Sequence, residues 1–183
     1  MKKTKTFLAA LLSVTVLFGG TAVSANAASA EVDITIKETT MDGVSVTVPT
    51  TLPVIFNEDG SNTIPENWTI ENISSIAGIH LSQVDMDANG SGWTLLAESE
   101  DTKALPVNTK ALKFYVGKDS ALKMVVPTDG TEAETGRVTF ADNEISVASG
   151  ETQILRFGVD RGAFTADEAE AKAFDMVLTF NFN

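Results

Sequence analysis

The single imidazole of the chain, His80, stands inside the apolar run Ile79-His80-Leu81. General acid–base work needs a second polar group in reach of the ring, and no G-x-S-x-G elbow or other recognisable nucleophile motif surrounds a serine. A lone histidine in an apolar run reads as a structural residue. Cysteine is absent, which removes disulfides, CxxC redox chemistry, thiolate zinc sites and cysteine nucleophiles together. The 25 Asp and Glu residues offer carboxylates for glycoside hydrolysis, yet spacing picks out no pair. No catalytic residue is predicted and no enzymatic activity is expected.

Asp85-Met86-Asp87-Ala88-Asn89-Gly90 has the alternating oxygen side chains and the glycine of the first half of a calcium loop. Asp85, Asp87 and Asn89 are therefore candidate ligands, with calcium as the only cofactor considered. The second half does not follow the pattern. Position 12 of such a loop falls on Leu96 in place of a bidentate Glu, and Glu98 comes two places late. The competing reading is a hairpin connection whose Asp, Asn and Gly supply turn geometry alone.

Charge is distributed unevenly. Lys103, Lys110, Lys113, Lys118 and Lys123 lie within 21 residues that hold one acid, Asp119, in a chain of formal charge −12. Lys113, Tyr115 and Lys123 are predicted to share the outward face of one hairpin, where a tyrosine between lysines can stack a sugar and meet an anionic polymer. The competing reading is that lysines on an outer strand deter edge-to-edge pairing. Trp68 and Trp93 each open an apolar alternation, so each reads as a core residue or as a stacking platform.

The N-terminal segment reads as an address. Lys2, Lys3 and Lys5 precede an apolar run over residues 7–18, too short to span a bilayer, and Ala25-Asn26-Ala27 offers small residues for cleavage before Ala28. Residues 1–27 are expected to be a secretory signal peptide and residues 28–183 a single domain. Export would take three of the 13 basic residues and none of the 25 acids, leaving −15, a charge that argues against nucleic acid as partner. No transmembrane anchor is expected. The leader is bacterial in composition, so the formal glycosylation acceptors at Asn67 and Asn72 read as chance matches.

The elements that must position these residues are short alternating runs separated by Gly, Asn, Asp and Pro, the pattern of sheets with one buried face. Val32, Ile34 and Ile36 alternate, and Val44, Val46 and Val48 follow the turn signal Asp42-Gly43, suggesting a hairpin. Leu112, Phe114 and Val116, then Leu122, Met124 and Val126, predict a second one over residues 110–126. Thr165 with Glu168, followed by Ala169, Ala171 and Ala173, predicts about two turns of helix. Phe174, Met176, Leu178, Phe180 and Phe182 form the strongest strand, which has to pair centrally or recruit neighbours. The predicted fold is all-β: a two-layer antiparallel β-sandwich with one short helical insertion before the last strand.

Three features resemble the WxL-type surface domains of Gram-positive bacteria: the segment Ser45-Val46-Thr47-Val48-Pro49-Thr50-Thr51-Leu52-Pro53, the segment Gly92-Trp93-Thr94-Leu95, and an aromatic terminal strand. The resemblance covers most of residues 28–183. It implies a secreted β-rich module that holds non-covalently to the cell wall, with Trp93 and Leu95 as binding residues. A second Trp-x-Leu belongs near the C-terminus in that family, and Phe180-Asn181-Phe182 stands there instead. The expected function is thus a secreted, non-enzymatic cell-surface protein that associates with wall glycan or a partner surface protein. The alternative is a structural subunit of an extracellular fibre or pilus-like assembly, in which residues 32–36 are donated to a neighbour's sheet edge.

Overall fold

The computed structural model describes residues 28–38, 45–57, 60–74, 76–165 and 171–182. It is an all-β sandwich. The strands are β1 (Ala28–Glu38), β2 (Val46–Thr47), β3 (Thr51–Phe56), β4 (Asn62–Thr63), β5 (Thr69–Asn72), β6 (Ile79–Asp87), β7 (Thr94–Leu96) and β8 (Ala111–Lys118). They continue as β9 (Ala121–Met124), β10 (Val126–Pro127), β11 (Glu132–Ala133), β12 (Thr135–Thr139), β13 (Ser146–Val147), β14 (Thr152–Ile154), β15 (Arg156–Arg161) and β16 (Ala171–Phe182). A 3-10 turn, Thr102–Ala104, is capped by the Asp101 side chain on the Lys103 amide.

Among the described residues the largest sheet runs β10-β12-β6-β16-β1-β3-β4, with β13 also on β6. A second sheet runs β11-β7-β8-β15 with β9 on β8, and a third runs β14-β5-β2. As its alternation predicts, β16 is central, with Phe174, Met176, Leu178 and Phe180 all inside the core and Lys172 and Asn181 exposed. Both of its neighbours supply ladder bonds, so its apolar face never meets an edge.

Two features differ from the expected architecture. The sandwich is not wholly antiparallel, because β1 lies parallel to β16 and β7 lies parallel to β8. Nor does β1 form a hairpin with the valine run after Asp42-Gly43; it pairs antiparallel with β3, while Val46 and Thr47 pair with Asn72 and Glu71 of β5. Long-range pairing outweighs the local turn signal here, since Val32, at 2% exposure, gains core burial beside β3 and β16. In the predicted helix, Ala166, Glu168 and Ala169 lie outside the described residues. Ala171 and Ala173 belong to β16. The N-terminal 27 residues also lie outside the described residues.

Asn72 shows how the third sheet is fixed to the rest. It is fully buried, donates from Nδ2 to the carbonyls of Ala77 (2.9 Å) and Val147 (3.1 Å), and accepts the Ser74 amide on Oδ1. Such a satisfied polar group inside an apolar core fixes one arrangement of the strands around it. The same burial removes Asn72 as a glycan acceptor in the folded protein.

Candidate functional site

Trp93 is 3% exposed and Leu95 fully buried. The Trp93 ring stacks on Phe164 (5.6 Å, 18° between planes) and meets Phe56 and Phe174 at 5.8 and 6.4 Å. The two residues of the Trp-Thr-Leu tripeptide thus pack the core and present no platform to a ligand. Trp68 is likewise inside, edge-on to Phe157 at 5.4 Å, with its indole N–H donated to the Thr51 carbonyl.

The predicted hairpin exists as β8 and β9, but its register separates the three residues expected on one face. Val116 pairs with Lys123 and Tyr115 with Met124. Lys123 therefore shares a face with Val116, while Leu122 and Met124 share the face of Tyr115. A one-residue shift of pairing inverts every side chain of a strand. The core position goes to Val125, fully buried, and Leu122 and Val126 stand 38% and 50% exposed. Lys113 does point away from Phe114, yet its ammonium donates to the Glu98 carbonyl at 2.8 Å and the side chain is buried. The segment before the 3-10 turn covers that face. Tyr115, half-buried beside it, has its phenol pKa pushed above the ordinary value, first by burial and then by the carboxylates of Asp160 and Glu98.

On the other side of the hairpin, Lys123 and the tip residue Lys118 rim an open hollow of about 490 Å³, floored by Phe140 and Ile145 and closed by Glu144. The Lys123 ammonium lies 2.7 Å from Glu144 Oε2, 3.3 Å from the Thr139 carbonyl and 5.3 Å from the centre of the Phe140 ring. That bond and the Ala141 amide hold the Glu144 carboxyl below its usual pKa. Behind it lies His80, 3% exposed, whose Nε2 comes within 3.2 Å of Asp142 Oδ1. The hollow thus offers two ammonium groups, two carboxylates (Asp119 and Glu144) and the Ser120 hydroxyl around a small apolar floor. Such a mixed rim can hydrogen-bond a polar polymer without engulfing it.

At the calcium candidates, each side chain is engaged elsewhere. Asp85 pairs with the Arg137 guanidinium and accepts from Gln83; Asp87 accepts the Asn89 amide at 2.8 Å; Asn89 Nδ2 donates to Asp175 at 3.1 Å. Asn89 and Gly90 adopt φ of 47° and 76°, the left-handed geometry of a tight turn. Among the described residues no group of three or more His, Asp or Glu is placed to hold a metal ion. Millimolar calcium is expected to leave the thermal midpoint unchanged, with Asp87→Ala equally insensitive; a calcium-dependent rise abolished by Asp87→Ala would restore the ion site.

Sequence reasoning missed Arg161. Buried beside a recess of about 430 Å³, its guanidinium lies 4.4 Å from the Phe56 ring centre and 5.5 Å from that of Phe164. It donates to Asn62 Oδ1 and to the carbonyls of Gly162, Asn57 and Ser61. Its partners lie up to 104 residues away, so no local spacing could have announced them. The hollow was equally invisible, being made by the approach of residues 140–145 to the hairpin tip.

In comparisons with known proteins, no family model, curated protein or solved structure matches this chain. Among the described residues no helix is long and apolar enough to cross a membrane.

Proposed function

We propose that the protein is an exported, non-enzymatic module of the bacterial cell surface that associates non-covalently with a wall polymer. The observation that carries this reading is the lysine-rimmed hollow at the tip of the β8–β9 hairpin, set in a chain of formal charge −12. Wall polymers are largely anionic, so the net charge of the chain opposes approach and local contacts have to overcome it. Lys118 and Lys123 supply the cations for such contacts, beside the carboxylates of Asp119 and Glu144. The signal-like segment at residues 1–27 and the resemblance of the Gly92-Trp93-Thr94-Leu95 segment to WxL-type domains support the address. With Trp93 and Leu95 in the core, the contact passes to the hairpin tip. His80, sequestered behind Asp142, fits a structural role better than proton transfer.

Retention of the exported chain on purified wall sacculi tests the reading. Lys118→Glu with Lys123→Glu is expected to weaken retention by roughly fivefold or more per lysine, on the scale of about 1 kcal/mol for each cation near an anionic surface. Added salt should weaken it as well, because exposed charges are screened over about 8 Å at physiological ionic strength. Retention of the double variant equal to that of the unaltered protein, with both folded, overturns the proposal. Lys113→Glu is no substitute for this test, since the Lys113 ammonium is tied into the fold.

A further inference from the structure

β1 occupies an unusual place for a segment tied to the following strands only through residues 39–45. It is the first strand described, yet it lies in the middle of the largest sheet, parallel to β16 on one side and antiparallel to β3 on the other. Neither neighbour is joined to it by a hairpin. The strand that follows it, β2, belongs to the third sheet. Removing β1 would therefore leave every other strand pair in place and open a slot one strand wide, with unpaired backbone on both walls; adjacent strands stand about 4.8 Å apart, so one strand and no more fits.

The slot is also specific. Val32 enters the core at 2% exposure, Ile34 packs against it, and Asp33 reaches Lys172 of β16 at 2.9 Å on the outer face. The register slips between Glu31 and Val32 against β16, so an occupant has to carry the same irregularity. A second copy of this chain carries it by identity. The outer edges of the sheet offer no alternative for growth: β10 and β4 are two residues long, and β10 contains Pro127, whose nitrogen cannot donate to a ladder.

We propose that β1 is an exchangeable strand, which leaves the slot between β16 and β3 of its own chain and fills the same slot in a second copy. Contacts inside the slot are the same in both arrangements, so protein concentration and the geometry of the 39–45 link set the balance. Reciprocal exchange closes a dimer; head-to-tail exchange that does not close builds a fibre. This goes beyond wall association and uses a different part of the molecule from Lys118 and Lys123.

The absence of cysteine makes the test clean. Asp33 and Thr51 are register partners, and the Ile34 amide donates to the Thr50 carbonyl, so Asp33 and Thr51 form the non-hydrogen-bonded type of pair. Cα atoms of such a pair lie about 4.5 Å apart, within disulfide range. Asp33→Cys and Thr51→Cys single variants are unfolded together, refolded at high concentration and oxidised. Exchange predicts a covalent heterodimer joining the two variants, in amounts rising with concentration. The double variant, oxidised while dilute, should close the bond within one chain and lose all concentration-dependent light scattering. Monomers alone, or same-variant dimers as abundant as the mixed one, overturn the proposal. Sacculus retention of the locked double variant reads the surface reading separately, because the lock leaves the hairpin tip untouched.

Discussion

Trp93→Ala is expected to destabilise the domain by about 3–5 kcal/mol, the range for truncating a buried large aromatic. The ring fills the space between Phe56, Phe164 and Phe174. Its loss leaves a cavity that three aromatic rings cannot collapse into without giving up their own contacts, and it loosens the Phe56 and Phe164 faces against which Arg161 rests. Total stabilities of roughly 5–15 kcal/mol make this a large fraction. With about 2–4 °C per kcal/mol for a domain of this size, the thermal midpoint should fall by on the order of 10 °C. Trp93→Phe should recover part of the loss. A midpoint unchanged by Trp93→Ala, together with lost sacculus retention, would instead place the indole at a binding surface.

Gly117→Ala is expected to be the most disruptive glycine-to-alanine change among the described residues. A Cβ at this position would lie deep inside van der Waals contact of the Ala121 carbonyl oxygen and 3.0 Å from Leu122 Cα, both backbone atoms of the opposite hairpin arm. Side chains can rotate away from a clash, whereas backbone can yield only by moving β9. Overpacking typically costs about 1–3 kcal/mol, and the upper part of that range applies because both opposing atoms are main chain. The displaced β9 would carry Lys123 away from Glu144 and deform the hollow. Gly158→Ala is the control: the added atom would meet the Leu122 Cδ1 tip at 3.3 Å and Tyr115 Cβ at 3.4 Å, contacts that a small side-chain adjustment relieves. Thermal unfolding and sacculus retention of both variants check the contrast. Equal midpoints for the two glycine variants would overturn it.

Alternation made β3, β6, β8 and β16 legible, since each places apolar residues in a shared core; burial itself keeps the period of two in β3 and β16, while β8 is buried over most of its length. What alternation cannot say is which strand lies alongside. The turn signal at Asp42-Gly43 suggested a local hairpin, while the partners of β1 are β3 and β16, the latter at the far end of the described chain. The candidate site shows the same division. The face of Lys113 was read correctly relative to Phe114, but whether that face is wet depends on residues 98–104, which the pattern of β8 does not contain. For β9, the pattern placed Leu122, Met124 and Val126 inward and Lys123 outward with Tyr115, whereas the strand adopts the second parity, with Val125 in the core and Lys123 opposite Val116. The turn at Asp119, with φ 54°, and the bare backbone of Gly117 set the second.

The parallel pairing of β1 with β16 also sets an order of events. Ala30 finds its partner only at Ala171, so the two strands that complete the largest sheet are separated by nearly the whole described sequence. Closing so long a loop costs entropy before any contact repays it, and topologies dominated by distant pairings fold slowly. During synthesis β1 emerges long before β16, and for that interval β1 and β6 each have a flank awaiting its ladder. The largest sheet can close only once β16 is made and joins the earliest described strand to the latest, and until then the chain carries open strand edges of the kind that chaperones bind.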